Sequence, residues 1–529
     1  MKAACLLLAI LAAVAAAGDL LVRVEPASDA DIELAAALGA GFLQRFDGWF
    51  LVRADAPALA TLSDRLDCRV LARDPDGRRY VYANVEPGTT RTRLAECGTV
   101  LTEDRTGALL RVDAAGVRKL TRLPVELCGV STVPPVGGRA YTVNRTPYSV
   151  AAVTDSLIWE LMARASQDSS EATLRRLIGF HTRYALAESC WAASRWFESK
   201  LAAYGCDSTF LDSFLIPYEG PSINVVGVKR GRVSPELIHI ISGHIDCTSE
   251  IPEVYAPGSD DNASGAGLVL EAARVFQGVE FDCTVWFVGF GAEEFGLVGS
   301  DTMARECRAR GDSIVLLINH DMDSYGCAGR DSIRVVGKRT NPPCSTWVVY
   351  YMAMADTFTD LKCHMEIVDE QSSSDQASFW KYGYHAIRDR YLDRDPVYHT
   401  TGDTIGPFQY QMCGTNNIPM YTEAIKATVA TIAKLAGAHQ HVGVEESSKP
   451  QAPGLKLAVL PSVGRTPVSI HLSSAAPVSV FDAAGRLIRV LPAGASLWDG
   501  HDESGAPARA GVYYFRAASG AAARFILAR

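Results

Sequence analysis

The chain carries no lysine/arginine cluster and no basic excess: 51 Lys and Arg stand against 60 Asp and Glu, a net charge of -9. That weighs against a nucleic-acid partner, whose phosphates select a positive surface. No run is apolar and long enough to cross a bilayer, so no membrane span is expected. None of the 13 cysteines falls in a C-x-x-C pair, which argues against a thiolate metal site. What remains is ordinary for a folded protein, with 48% apolar and 21% charged residues. At 529 residues the chain exceeds what one hydrophobic core organises, so several domains are expected.

The N-terminus has the pattern of a signal peptide over residues 1–17. Lys2 precedes the short apolar run Leu6 to Val14, and Ala15-Ala16-Ala17 offers a small-residue cleavage site before Gly18. This predicts an exported protein, secreted or held at the cell surface. Without Cys5 an even number of cysteines remains, which permits disulfides. Two of Cys68, Cys97 and Cys128 could pair locally, or all could stay buried thiols.

Residues 18–135 contain a weak repeat at an offset of 58. Leu51-Val52-Arg53-Ala54-Asp55-Ala56 resembles Leu109-Leu110-Arg111-Val112-Asp113-Ala114, and Leu62 matches Leu120. Each copy reads as strand, turn, strand, short helix, strand, which suggests a small α+β unit of ferredoxin-like type. It contains no His, so it is assigned no chemistry; a propeptide covering the active site and a structural appendage are both open. Residues 136–150 read as a linker. From 150 to 440 short β-rich runs alternate with helices. Ser222 to Val228, Leu237 to Ser242, Thr284 to Phe290 and Ile314 to Asn319 are the strands, and Ala263 to Gln277 is a helix between two of them. The expected fold class is α/β, a mainly parallel mixed sheet flanked by helices. A polar linker over 441–455 leads into 456–529, where period-two alternation in Val478 to Phe481, Leu487 to Leu491 and Val512 to Phe515 predicts a β-sandwich.

In a parallel α/β sheet, ligands bind beyond the carboxyl ends of the strands. His244 follows one strand. Asp261 precedes a helix, Glu293 and Glu294 follow a second strand, and Asp321 follows a third. His399 follows the apolar Ala386-Ile387. Five elements thus bring metal-capable side chains to one sheet edge. Two His and several carboxylates without thiolate suit Zn²⁺, with Co²⁺ or Mn²⁺ open. Taken singly, each residue has a bland explanation: a structural His, an N-cap Asp, a solvated Glu pair. The Glu293-Glu294 pair resists the last of these because it follows a core strand. Two adjacent carboxylates repel unless a cation is near, and a division between one ligand and one proton acceptor resolves this. His239 reads as structural, and His320 points to the opposite face from Asp321.

These segments resemble the M28 family of zinc metallopeptidases: Gly243-His244-Ile245-Asp246, Ala256 to Gly265, Glu293 to Ser300, Asn319-His320-Asp321-Met322, Ser374-Asp375-Gln376, and Tyr398-His399-Thr400 with Asp403. The resemblance covers roughly 150–440. It implies a zinc-peptidase fold and two Zn²⁺ per chain bridged by Asp261. His244 and Asp321 would complete one site, and Glu294 and His399 the other. Glu293 would be the general base, and Asp246 would orient the His244 imidazole through its second nitrogen. It also implies a cis peptide after Asp261. The implied activity is aminopeptidase cleavage of peptide substrates by a water held between the metals. Glutaminyl cyclisation, and dipeptidase or carboxypeptidase action, use the same scaffold. Ser259 and Gln376 stand where the family often has Ala and His, which touches specificity rather than the ligand set.

The C-terminal region is similar to FlgD-like immunoglobulin-fold tails of bacterial exported proteins. Val480-Phe481-Asp482, Trp498-Asp499-Gly500 and Gly511-Val512-Tyr513-Tyr514 carry that likeness. It implies a sorting signal that a secretion machinery reads. A passive appendage, or a non-catalytic exported binding protein with this module as its working part, is the reading from another class.

Overall fold

The computed structural model describes residues 19–440, apart from 27, 74, 86–90, 131–152, 327–330, 340–342, 369–372, 393–394 and 406–415. It also describes 457–527, apart from 461–462, 465–467, 473–476, 483–485, 510 and 518–521. The signal-peptide segment 1–17 and both linkers, 136–150 and 441–455, lie outside the described residues. The chain divides into two compact units, Met1–His441 and Val442–Arg529.

The larger unit is built on an 8-stranded sheet. Its strands are β1 Ser208–Ile216, β2 Gly220–Lys229, β3 Ser234–His244, β4 Cys283–Phe290, β5 Ser313–His320, β6 Ser332–Lys338, β7 Lys362–Val368 and β8 Ala386–Tyr391. They lie in the order β7-β6-β8-β5-β3-β4-β2-β1. The centre is parallel, with Ile240 of β3 between Trp286 of β4 and Leu317 of β5, and Ile318 beside Ile387 of β8. Outside it the sense reverses. β2 runs antiparallel to β4 and to β1, and β6 runs antiparallel to β8 while β7 runs parallel to β6. The sheet is therefore mixed, and its parallel character is confined to the centre and one edge pair.

The central strands are buried on both faces, which explains their unbroken apolar runs. Ile240, Ile241, Val285, Phe287, Leu316 and Leu317 are all fully buried. Helix α1, Gly265–Val275, packs on β3, β4 and β5, and α2, Ile418–Ala436, packs across α1. α2 starts on an Asn417 side chain that accepts from Met420 N–H at 3.2 Å and stops at Gly437, φ 71°. α1 sits tightly on the sheet because it begins with glycine. A Cβ on Gly265 would lie 2.1 Å from the His320 carbonyl oxygen.

The repeat in the N-terminal region resolves into two whole copies of one unit. In the first, strands Leu20–Glu25, Gly41–Arg45, Phe50–Ala54 and Asp67–Arg73 form a 4-stranded sheet ordered second-third-first-fourth. In the second, Arg79–Val85, Thr99–Glu103, Gly107–Val112 and Val125–Val130 repeat that order. Each copy is thus a complete β-α-β-β-α-β unit, one strand and one helical segment more than the sequence pattern predicts. The repeated Asp has the same duty in both. Asp55 caps its helix by accepting from Ala58 N–H at 2.8 Å, and Asp113 does so from Gly116 N–H at 2.7 Å. Asp104 of the second copy accepts from Trp49 of the first and from Tyr82, both at 2.6 Å. Cys68, Cys97 and Cys128 are free thiols, as are the other described cysteines, so no local pairing forms.

The smaller unit contains a 3-stranded and a 5-stranded sheet. Val478–Asp482 pairs antiparallel with Leu487–Leu491 and with Gly511–Ala517. Trp498 is fully buried against Tyr513 and Phe515, with ring centroids 5.0 and 5.5 Å away. No helix among the described residues is long and apolar enough to cross a membrane.

Candidate metal centre

All the side chains singled out in the sequence meet at the carboxyl ends of the central strands. His244 is the last residue of β3, Asp321 directly follows β5, and Glu293 and Glu294 lie just beyond β4. Asp261 comes from the segment before α1 and His399 from the loop beyond β8. All six are buried. The backbone is bent to deliver them: Ala292, Met322 and His399 have φ of 55°, 66° and 57°. A non-glycine residue held there costs on the order of 1–3 kcal/mol, which surrounding structure must offset. The Asp261–Asn262 peptide bond is cis.

Asp261 stands between the two histidines. Its Oδ1 lies 3.3 Å from His244 Nε2, and its Oδ2 lies 3.0 Å from His399 Nε2. Asp321 Oδ1 is 3.6 Å from the same His244 nitrogen, and Glu294 Oε2 is 3.1 Å from His399 Nε2. His244, Asp261 and Glu294 form one group of potential ligand atoms, and His244, Glu293 and Asp321 form another.

A second layer fixes the orientation of these groups. His244 Nδ1 contacts the Asp246 main-chain oxygen at 3.0 Å, while the Asp246 carboxylate is 3.8 Å away. The imidazole is thus oriented by the main chain of Asp246. Its carboxylate instead accepts the backbone N–H of Glu293 at 3.1 Å and of Glu294 at 3.2 Å, holding the acidic pair in place. Asp403 accepts from Asp260 N–H and Asp261 N–H at 2.8 and 3.0 Å. Asp321 Oδ2 takes the Ser374 hydroxyl and lies 3.2 Å from Arg388, leaving Oδ1 to face His244. His399 Nδ1 contacts the Leu123 carbonyl oxygen at 2.8 Å.

The electrostatics fit a cationic guest. Asp261, Glu293, Glu294 and Asp321 are four buried carboxylates, and Glu294 Oε1 and Asp321 Oδ1 accept no hydrogen bond. Burial pushes the Glu293 carboxyl well above the usual range, and Glu294, Asp375 and Asp321 add repulsion that outlasts the opposing pull of His244. Burial also lifts Glu294, to about 7. Burial would lower both histidines, but the surrounding carboxylates hold His244 and His399 well above the imidazole range. Asp261 is raised by burial yet ends below the carboxylate range because both histidines face it. A set of buried oxygen and nitrogen donors lacking hydrogen-bond donors is what a divalent ion satisfies.

His320 turns away, as its neighbour position on β5 requires. Its Nδ1 lies 2.6 Å from Asp389 and 3.3 Å from Asp323. Burial lowers it, but those two carboxylates outweigh that and raise it to about 9. Arg388, Ser374 and Leu123 go beyond the residues that the sequence points to, although Ser374 stands in the segment Ser374-Asp375-Gln376. Leu123 acts through its main chain, which leaves no residue signal.

An α/β sheet with two His and four carboxylates converging at its carboxyl edge defines a centre of metallohydrolase type. Residues 224–418 match the model of Peptidase family M28. A probable zinc metalloprotease of Pyrenophora teres f. teres is 29% identical over 193 residues, 32% of this chain and 41% of that protein. A probable leucine aminopeptidase of Arthroderma otae is 26% identical over 255 residues, 46% of this chain and 69% of that protein. The chain thus spans about two-fifths of the first of these relatives. Among solved structures, the LapA aminopeptidase of Legionella pneumophila aligns with TM-score 0.53 at 19% identity, covering 68% of this chain and 98% of that one. At that identity the likeness is one of fold. The matched segment is of the hydrolase, metallopeptidase kind, and zinc is the metal named for the first relative.

Proposed function

We propose that the protein is a secreted zinc aminopeptidase that binds two Zn²⁺ per chain and removes the N-terminal residue of peptides. The observation that supports this most is Asp261, whose two oxygens face histidines on opposite sides. His244 and Asp321 would hold one ion with Asp261, and Glu294 and His399 the other. Bound zinc supplies Lewis acidity and a lowered pKa for water. Glu293 takes the proton of the attacking water and returns it to the departing amine. Asp246 accepts the Glu293 backbone N–H and so fixes the main chain from which that carboxylate projects.

Export rests on the 1–17 segment, and the C-terminal unit would serve a secretion machinery. Mature protein recovered outside the cell and beginning near Gly18 would support this; retention of residues 1–17 in the cytoplasm would not. The reaction is tested with leucyl and other aminoacyl amides beside their N-acetylated forms. Hydrolysis of the free-amino substrates alone is expected. Cyclisation of N-terminal glutaminyl peptides without hydrolysis would assign the cyclase chemistry instead, and cleavage of blocked peptides from the other end would assign a carboxypeptidase.

A further inference from the structure

The two-metal reading leaves the buried Arg388 unexplained. It sits on β8 at 0% exposure, next to a carboxylate expected to give its charge to a metal. An arginine there competes with the ion for Asp321, and a fixed cation beside two more cations is costly. The structure contains a compensating group, and it comes from the N-terminal region. Glu126, on the last strand of the second repeat, lies 3.7 Å from Arg388 and 3.9 Å from Arg390.

Around Glu126 the second repeat is built into the centre. Gly129 N–H donates to the Gly296 carbonyl at 2.8 Å, and Gly296 N–H donates to the Glu293 carbonyl at 2.8 Å. A Cβ on Gly129 would lie 2.8 Å from that same Gly296 oxygen, so the approach requires glycine. Arg79 donates to the Phe295 carbonyl at 2.6 Å, and Thr248 donates to the Thr121 carbonyl at 2.6 Å. The repeat's core residues Val81, Leu110 and Leu127 share one cluster with Ala292 and Phe295. Leu123 meets His399 as described above. Contacts therefore reach both histidine-bearing halves of the centre and the acidic loop.

We infer that Glu126 is a positioning residue for the metal centre: by sharing the charge of Arg388 it leaves Asp321 free to donate Oδ1 to the ion. This rests on the two-metal reading of the site. Arg388 then acts on Asp321 Oδ2 through its charge, since its guanidinium nitrogens make no hydrogen bond among the described residues, and Glu126 sets how strongly that charge pulls. The second repeat is accordingly part of the working site and has to stay docked for the centre to be complete.

The test uses the full-length protein, with Zn²⁺ affinity measured by chelator competition and the visible spectrum recorded after Co²⁺ substitution. Glu126→Gln should weaken binding at one of the two positions by roughly ten- to a hundredfold and shift the Co²⁺ bands. Unfolding temperature should be nearly unchanged, and Glu126→Asp should recover most of the affinity. In an Arg388→Met background the Glu126→Gln substitution should have little further effect, because the charge it balances is gone. Arg388→Gln serves the same comparison if the Met variant does not fold. Parental affinity and spectrum in Glu126→Gln, or an equal loss in both backgrounds, would overturn the inference. A parent protein that binds no zinc would instead overturn the two-metal reading itself.

Discussion

Glu293→Gln isolates the proton-transfer role from metal binding. Glutamine keeps the side-chain size at a position that is 7% exposed, and the backbone bond from Glu293 N–H to Asp246 is unaffected. The proposed ligands His244, Asp261, Glu294, Asp321 and His399 remain, so zinc content should match the parent. What disappears is a carboxylate that can take and return a proton. General acid–base groups contribute roughly 10²- to 10⁴-fold, a barrier change of about 3–5 kcal/mol. The assay is steady-state hydrolysis of a leucyl amide by protein whose zinc has been quantified. kcat should fall by that factor while KM stays close to the parental value, the signature of an interaction made in the transition state. A kcat within about tenfold of the parent would refute the assignment of the base. Loss of zinc with the activity would make Glu293 a ligand instead.

Three further outcomes are expected. The metal-free centre holds protons near neutrality, since burial raises Glu293 and lifts Glu294 to about 7, and the carboxylates keep both histidines protonated. Zinc must displace these protons, so affinity should rise with pH; calorimetric heats that do not depend on the buffer's ionisation enthalpy would contradict this. Asp104 is raised by burial but ends below the carboxylate range because Tyr82, Trp49 and Thr106 donate to it. Such a group adds stability above its unfolded pKa of about 4 and loses it as pH falls through the native value. Asp104→Asn should therefore cost about 1–3 kcal/mol at neutral pH and flatten the acid limb of a thermal-unfolding series. Gly265→Ala should destabilise by about 1–3 kcal/mol or more in denaturant melts, because its methyl would meet the His320 carbonyl at 2.1 Å; an unchanged midpoint would show that α1 can shift.

The sequence was most legible where one physical rule governs. Parallel strands buried on both faces read as apolar runs, so the centre of the sheet was expected within a few residues of where it lies. The meeting of His244, Glu293, Glu294 and Asp321 at strand ends followed from the same rule. The edges were harder: Lys362–Val368 and Ser208–Ile216 are largely unburied and carry mixed side chains, so neither announces a strand. Asp246 meets the second nitrogen of the His244 imidazole through its main-chain oxygen, while its carboxylate closes on two backbone N–H groups. Main-chain partners are interchangeable in sequence, and the Leu123 carbonyl on His399 is illegible for the same reason. Glu126 and Arg388 are 262 positions apart, and only the docking of the second repeat brings them together.

The claim that two metals share Asp261 is tested most directly by returning Zn²⁺ stepwise to chelator-stripped, full-length protein and following leucyl-amide hydrolysis at each addition. No activity is expected in the stripped protein, with a plateau at two zinc ions per chain. A plateau at one ion, or turnover that survives stripping, would contradict it.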